Sequence, residues 1–198
     1  MIISENLLLA HGAVYKDFQA EELVFEEGNI PKYYFQIISG KVELYNLHQN
    51  GRQFTHNILS NGQSIGESLL FTDRPYPMSA LAKTECEILC LGKTEFTSLV
   101  SQNYDVMQNL MQCMSERLYY KYLMLFNLSG IEPSTKIKTI LDYLKDYNLR
   151  NVSDYFEVPF TRQQIANLTG MAVETVIRTV KKMEADHILK IEKGKILY

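Results

Sequence analysis

The chain of 198 residues is 46% hydrophobic and 22% charged, with five prolines and a formal net charge of −3. That length suits one large domain or two small ones, and no apolar run approaches the roughly 18 residues needed to span a bilayer. The acidic balance weighs against nucleic acid only until it is divided. Residues 1–160 hold 13 Lys/Arg against 19 Asp/Glu, whereas residues 161–198 hold 7 against 4, and a local basic surface is what meets a phosphate backbone.

The opening MIISENLLLAHG has an early acidic residue, no basic segment and no small-residue cleavage site. A secretory signal is therefore not expected, and the chain is placed in the cytoplasm. From Glu22 to about Leu91, short apolar runs alternate with turn residues, and glycines fall at 28, 40, 51, 62 and 66. Many short strands at that spacing predict a β-barrel or sandwich. Within it, Asn50-Gly51 predicts a two-residue type I′ hairpin.

Cys86 and Cys90 lie four apart in an alternating segment, so both are expected on one face. With Cys113 they make an odd count without ligand spacing, which reads as reduced thiols rather than a metal site. His11, His48, His56 and His187 are scattered and lack the close His-x-His pair of a metal-dependent cupin enzyme. No Ser-His-Asp or Cys-His arrangement stands out either. The expectation is no catalytic site, no metal and no cofactor.

The period then becomes helical. Met107, Leu110, Met111, Met114, Leu118, Tyr122 and Leu125 recur at three or four within a run from Gln102 to Leu128 that lacks Gly and Pro. Such a helix would be roughly 40 Å long. Its stripe predicts a seam with a second copy or packing on the chain's own β-domain, and Tyr119, Tyr120 and Phe126 suit a helix that buries both a face and a flank. Ser129-Gly130 and Pro133 end it. A helix beginning at Ser134 or Thr135 follows, with Ile137, Ile140, Leu141 and Leu144 inward. Residues 146–154 read as a loop, and Phe156, Val158 and Phe160 as a short edge strand.

Thr161 is placed to cap the next helix, with Gln164 completing a capping box. Ile165, Ala166 and Leu168 form its apolar face, and Gly170 suits the turn that follows. A second short helix, about 173–185, is expected to bury Val176, Ile177, Val180 and Met183. That leaves Glu174, Thr175, Arg178, Lys181 and Lys182 exposed. Residues 188–191 and 195–198 flank Lys193-Gly194 as a two-stranded wing.

Helix, tight turn, helix and hairpin, preceded by a helix and strand, is the order of a winged helix-turn-helix, whose second helix enters the major groove. Arg178 would then pair with a guanine and Glu174 accept from a cytosine amino group. Thr161, Arg162, Gln163, Lys181 and Lys182 would hold phosphates.

TRQQIANLTG followed by ETVIRTVKKM resembles the cyclic-AMP receptor protein and fumarate–nitrate regulator family, and the likeness runs from about residue 20 to the end. The resemblance implies an α+β chain in three parts. These are a cyclic-nucleotide-binding-like β-roll (1–101), a long dimerisation helix (102–129) and a winged helix-turn-helix (130–198). It also implies base-reading roles for the residues matching Glu174 and Arg178, and duplex DNA, a second copy and RNA polymerase as partners.

Two departures fall in the recognition helix, where the family's usual Ser is Ala172 and the Arg after it is Val173. The segment GKVELY…NGRQFTHNIL…NGQSIGESLLF resembles the family's sensor, whose phosphate cassette reads Gly-Glu and later Arg-Ser or Arg-Thr. Here Gly66, Glu67 and Ser79 are present, but the Arg position is Met78. Arg74 lies on the preceding loop. The resemblance thus points to a DNA-binding transcription regulator, and Met78 at the Arg position leaves either a small effector other than cyclic AMP or no ligand at all. The oxygen-sensing branch's N-terminal cysteine cluster has no counterpart before Cys86. Alternatives are a cyclic-nucleotide-binding regulatory protein, which leaves the C-terminal residues unexplained, and the cupin enzyme.

Overall fold

A computed structural model describes residues 2–148 and 156–198. The chain divides into two compact units, residues 1–116 and 117–198. The first opens with a short helix, α1 (Glu5–Ala10), and then builds eight strands: β1 (Val14–Phe18), β2 (Leu23–Phe25), β3 (Tyr33–Ser39), β4 (Lys41–Leu47), β5 (Gln53–Ser60), β6 (Ser64–Ile65), β7 (Ser79–Ala82) and β8 (Cys86–Gly92). They form two four-stranded sheets, ordered β1-β8-β3-β6 and β2-β7-β4-β5. A 3₁₀ turn at Glu67–Phe71 leads from β6 towards β7.

Strand periodicity decides how the layers stack. Along β8, Cys86, Ile88 and Cys90 face a core that also holds Phe35, Ile37, Val42, Leu59 and Ile65. Leu89 and Leu91 turn the other way, into a second core with Tyr34, Phe96, Leu99 and Leu110. Side chains two apart share a face, so Cys86 and Cys90 do point the same way. Burial pushes the Cys90 thiol up to about 11, which suits a structural thiol.

The β4–β5 connection differs from the expected type I′ turn. Gly51 donates to the His48 carbonyl, and His48 pairs with Arg52 around a three-residue loop. Gly51 has φ +78° while Asn50 is not left-handed, which is the three-residue hairpin with a glycine in the αL position.

α2 (Lys93–Gln102) was not foreseen, and Asn103 separates it from α3 (Tyr104–Ser129), 26 residues long. Val106, Leu110 and Met114 of α3 pack into the core beneath α2. Along the rest of the stripe, Met107, Met111, Leu118, Tyr122 and Leu125 are exposed, Leu125 at 68% and neighbouring Phe126 at 82%. Leu110 and Met114 of the stripe thus pack on the β-domain while the rest of it is exposed, and of Tyr119, Tyr120 and Phe126 only Tyr120 is buried. Among the described residues, no helix is long and apolar enough to cross a membrane.

In the second unit, α4 (Pro133–Asn148) is followed by α5 (Arg162–Thr169), α6 (Val173–Ala185), β9 (Lys190–Glu192) and β10 (Lys195–Leu197). α4 continues through residues 146–148, where a loop was expected, because nothing in Asp146-Tyr147-Asn148 breaks a helix. The remainder of that expected loop, to residue 154, lies outside the described residues. Phe156–Phe160 is not a regular strand. Only Glu157 bridges to Leu197, with Phe156 and Val158 donating to Tyr198 and Ile196 carbonyls. Pro159 lacks the N–H that would extend the ladder. The core joins Ile137, Leu141, Val158, Ile165, Val176, Val180, Met183, Leu189 and Ile196. Ile177, expected inside, is 41% exposed, and Thr179 takes the buried place. The helical period centres the inward face on 176, 179–180 and 183, so 177 falls on its edge.

Two buried polar side chains make opposite predictions. The fully buried Gln36 amide donates to the Ile3 carbonyl at 2.8 Å and accepts from Ile3 N at 3.2 Å and Tyr34 Oη at 2.9 Å. Gln36→Leu strands these groups and should cost about 2–3 kcal/mol in urea unfolding. Tyr76 Oη, by contrast, is buried with no hydrogen-bond partner. Tyr76→Phe should be neutral or stabilise by up to about 1 kcal/mol. Burial first, and then the Glu67 charge, push the Tyr76 hydroxyl from 10.0 up to about 12. A raised value means its contribution is complete below pH 10 and is lost as pH rises towards 12. The parent protein, and not Tyr76→Phe, should therefore show that alkaline loss.

Candidate functional site

The helix pair is set by its caps. Thr161 Oγ1 accepts from Gln164 N at 3.1 Å, and Gln164 Oε1 accepts from Thr161 N at 2.8 Å, the reciprocal capping box expected from the sequence. α5 ends at Gly170, with φ +66° and its N–H on the Ala166 carbonyl. This left-handed position disfavours side chains with a Cβ. The buried Thr169 hydroxyl donates to the Ile165 carbonyl at 2.7 Å. α6 starts from Ala172, which supplies no side-chain cap.

On α6 the buried side is Val176, Thr179, Val180 and Met183. Glu174, Arg178, Lys181 and Lys182 are exposed and Thr175 is half-buried. Spacings of three and four place these charged residues along one helix face. No Glu174–Arg178 ion pair forms, and neither side chain has a partner among the described residues. A row of three cations and one carboxylate is therefore presented to solvent, opposite the core.

The residues at the start of α5 are engaged within the chain. Thr161 is the cap, Gln163 Nε2 donates to Asn167 Oδ1 at 2.9 Å, and Arg162 Nη1 donates to the Gly194 carbonyl at 2.5 Å. Arg162 thus ties α5 to the turn of the wing. Glu184 Oε1 accepts from Ile191 N at 2.9 Å, tying α6 to β9. The sequence treated Lys193 only as a turn residue. It stands at the wing's tip with φ +47°, beside Lys195, which pairs with Glu157 at 3.0 Å. A basic hairpin next to a basic helix was readable from charge; the Arg162 tether was not, because it joins residues 32 apart.

In the β-roll, Gly66 has φ +66°, and a Cβ there would meet the Tyr76 ring at 3.0 Å. Glu67 is fully buried and accepts from Ser64 Oγ at 2.8 Å. Ser79 Oγ accepts from Glu27 N at 3.0 Å, and Asn46 Nδ2 donates to Glu27 Oε2 and the Pro77 carbonyl, each at 2.8 Å. Met78 packs against the inter-sheet core. Arg74 is on an exposed loop, and its guanidinium has no partner among the described residues. Gly66 and Glu67 thus lie at the end of β6, while Met78 and Ser79 stand at the start of β7, with Met78 in the position where the resemblance expects an Arg. Among the described residues, no three His, Cys, Asp or Glu converge as a metal site.

Residues 15–103 match the family model of the cyclic nucleotide-binding domain, and residues 137–197 that of the Crp-like helix-turn-helix domain. The chain is 25% identical over 183 residues to the cAMP-activated global transcriptional regulator CRP of Salmonella typhimurium, covering 91% of this chain and 87% of the relative. The c-di-GMP-responsive global regulator CLP of Xanthomonas campestris has the same fold, with a TM-score of 0.77 at 20% identity over 97% of this chain and 96% of that one. A CooA mutant from Carboxydothermus hydrogenoformans gives a TM-score of 0.82 at 15% identity, over 98% and 87%. A nucleotide-binding-like roll, a long helix and a Crp-like reading head follow one another along nearly the whole chain, and on these matches it belongs to the CRP/FNR family of DNA-binding transcriptional regulators.

Proposed function

We propose that the chain works as a homodimer that reads a near-palindromic duplex, with residues 1–101 as sensor, 102–129 as dimer seam and 130–198 as the DNA-binding domain. The observation that carries this reading is the unpaired row Glu174, Arg178, Lys181 and Lys182 on the outer face of α6. Arg178 and Glu174 read base edges. Lys181, Lys182 and the wing's Lys193 hold phosphates, while Thr161, Arg162 and Gln163 contact the backbone at the start of α5. The exposed stripe of α3 supports dimerisation, because apolar side chains at helical spacing gain most when a second copy covers them. RNA polymerase is the further partner of a regulator that acts on transcription.

Two-fold symmetry sets recognition helices about 34 Å apart, one turn of duplex. Analytical ultracentrifugation with a palindromic duplex should give two chains per site; one chain on one half-site at micromolar concentration would refute the dimer. In the same system Arg178→Ala should cost about 1–3 kcal/mol on the specific site and relax one base position. Lys181→Ala and Lys182→Ala should weaken specific and scrambled DNA alike and flatten the salt dependence. Equal loss on both DNAs for Arg178→Ala would make Arg178 a phosphate contact.

The relatives include cAMP-activated and c-di-GMP-responsive regulators. For this chain we propose control by a small effector other than cyclic AMP, with Gly66, Glu67, Met78 and Ser79 as the candidate effector residues. Met78 offers no charge-assisted bonds to a cyclic phosphate, and a phosphate withdrawn from water without them is costly. Calorimetry with cyclic AMP and cyclic GMP should show no micromolar binding, and neither should tighten DNA affinity. Micromolar cyclic-AMP binding that tightens DNA binding would overturn this reading.

A further inference from the structure

Beside the cassette, where β2 runs into the loop before β3, lies an open cleft of about 430 Å³. That volume falls in the usual range for small-molecule sites. Half of its lining residues are aromatic, with Val24 and Ile30 beside them. Tyr33 and Phe35 have ring centroids 6.1 Å apart, as do Phe35 and Phe25, and Phe25 stacks on Tyr76 at 3.7 Å with 9° between planes. The four rings form a continuous ladder from the mouth inward. Tyr33 is 44% exposed, whereas Phe35, Phe25 and Tyr76 are buried.

The polar groups of the lining are the Asn29 amide, the Lys32 ammonium and the Tyr33 and Tyr76 hydroxyls, and no carboxylate lines the cleft. The Lys32 ammonium has no ion-pair partner among the described residues. Outside the lining, the Lys16 ammonium lies over the Tyr33 ring, 5.4 Å from its centroid. The cleft thus joins flat apolar walls to a one-signed rim. Aromatic rings favour stacked or edge-on partners, and an uncompensated ammonium at an apolar mouth favours one anionic group.

We propose that this cleft binds a planar aromatic molecule bearing a single negative charge, at a place distinct from Gly66, Glu67, Met78 and Ser79. Tyr76 links the cleft to the cassette. Its N–H donates to the Asn29 carbonyl and its own carbonyl accepts from Gly28 N, both at 2.9 Å, while its ring abuts Gly66. A ligand on the ring ladder therefore presses on the residue that packs beneath the cassette's left-handed glycine. The proposal rests on the effector-controlled reading only for its effect on DNA, so binding is tested without DNA.

The test is amide-resolved NMR of the full chain titrated with 2-naphthoate and with its uncharged counterpart 2-naphthamide. Naphthoate should bind saturably and shift the Asn29, Lys32 and Tyr33 amides most. Lys32→Ala, at an exposed and unpaired position, should weaken naphthoate about 3- to 5-fold, as for an exposed ion pair, and leave naphthamide unchanged. Tyr33→Leu should weaken both. No saturable binding at millimolar probe, shifts centred on Glu67 and Ser79, or equal effects of Lys32→Ala on the two probes would each overturn the proposal. If naphthoate binds as described but leaves DNA affinity unaltered, the site stands and its role as the effector site falls.

Discussion

Everything in the first unit depends on strands that are buried on both faces. β8 lies between β1 and β3, and its side chains alternate between the inter-sheet core and the core under α2 and α3. A one-residue slip would exchange the two sets and push Leu89 and Leu91 into space shaped for Ile88 and Cys90. β3 obeys the same rule, with Phe35 and Ile37 inward and Tyr34 outward, and its polar residue Gln36 is tolerated because Ile3 and Tyr34 satisfy its amide. By seating Val106 and Leu110, this second core fixes how the first turns of α3 meet the sheet, and so which of its faces remains open.

That open face and the reading head obey different physics. Along α3 the exposed residues are large and apolar, so burial by another surface is favourable in proportion to area. Along α6 they are charged and unpaired, so their energy is realised only against fixed external charges or base edges. Arg162 lies between these roles. Its bond to the Gly194 carbonyl holds the wing turn against α5, which sets the position of Lys193 relative to α6.

The sequence was most legible where local chemistry acts alone. Thr161 and Gln164 form the box that their spacing implies, Gly170 takes the left-handed turn, and Cys86 and Cys90 share a face. It was least legible where non-local packing decides. α2 begins directly from the end of β8, and its apolar residues Phe96, Leu99 and Val100 are too few to separate a short helix from the strand run before it. Ile177 is as apolar as Val176, and it falls at the edge of an inward face that also takes in the polar Thr179. The ring ladder is likewise invisible in sequence, since Phe25, Phe35 and Tyr76 come from three separate segments.

The residues that resemble a phosphate cassette are bonded within the chain. Ser79 Oγ takes the Glu27 N–H, Glu67 takes the Ser64 hydroxyl, and Asn46 bridges Glu27 to the Pro77 carbonyl. The polar groups thus hold one another and fix the loop between Gly66 and β7. Met78 completes the arrangement by joining the apolar core where a guanidinium would need a counter-charge. The turn at Gly66 is closely packed, since a Cβ there would come within 3.0 Å of the Tyr76 ring and 3.3 Å of the Phe25 ring.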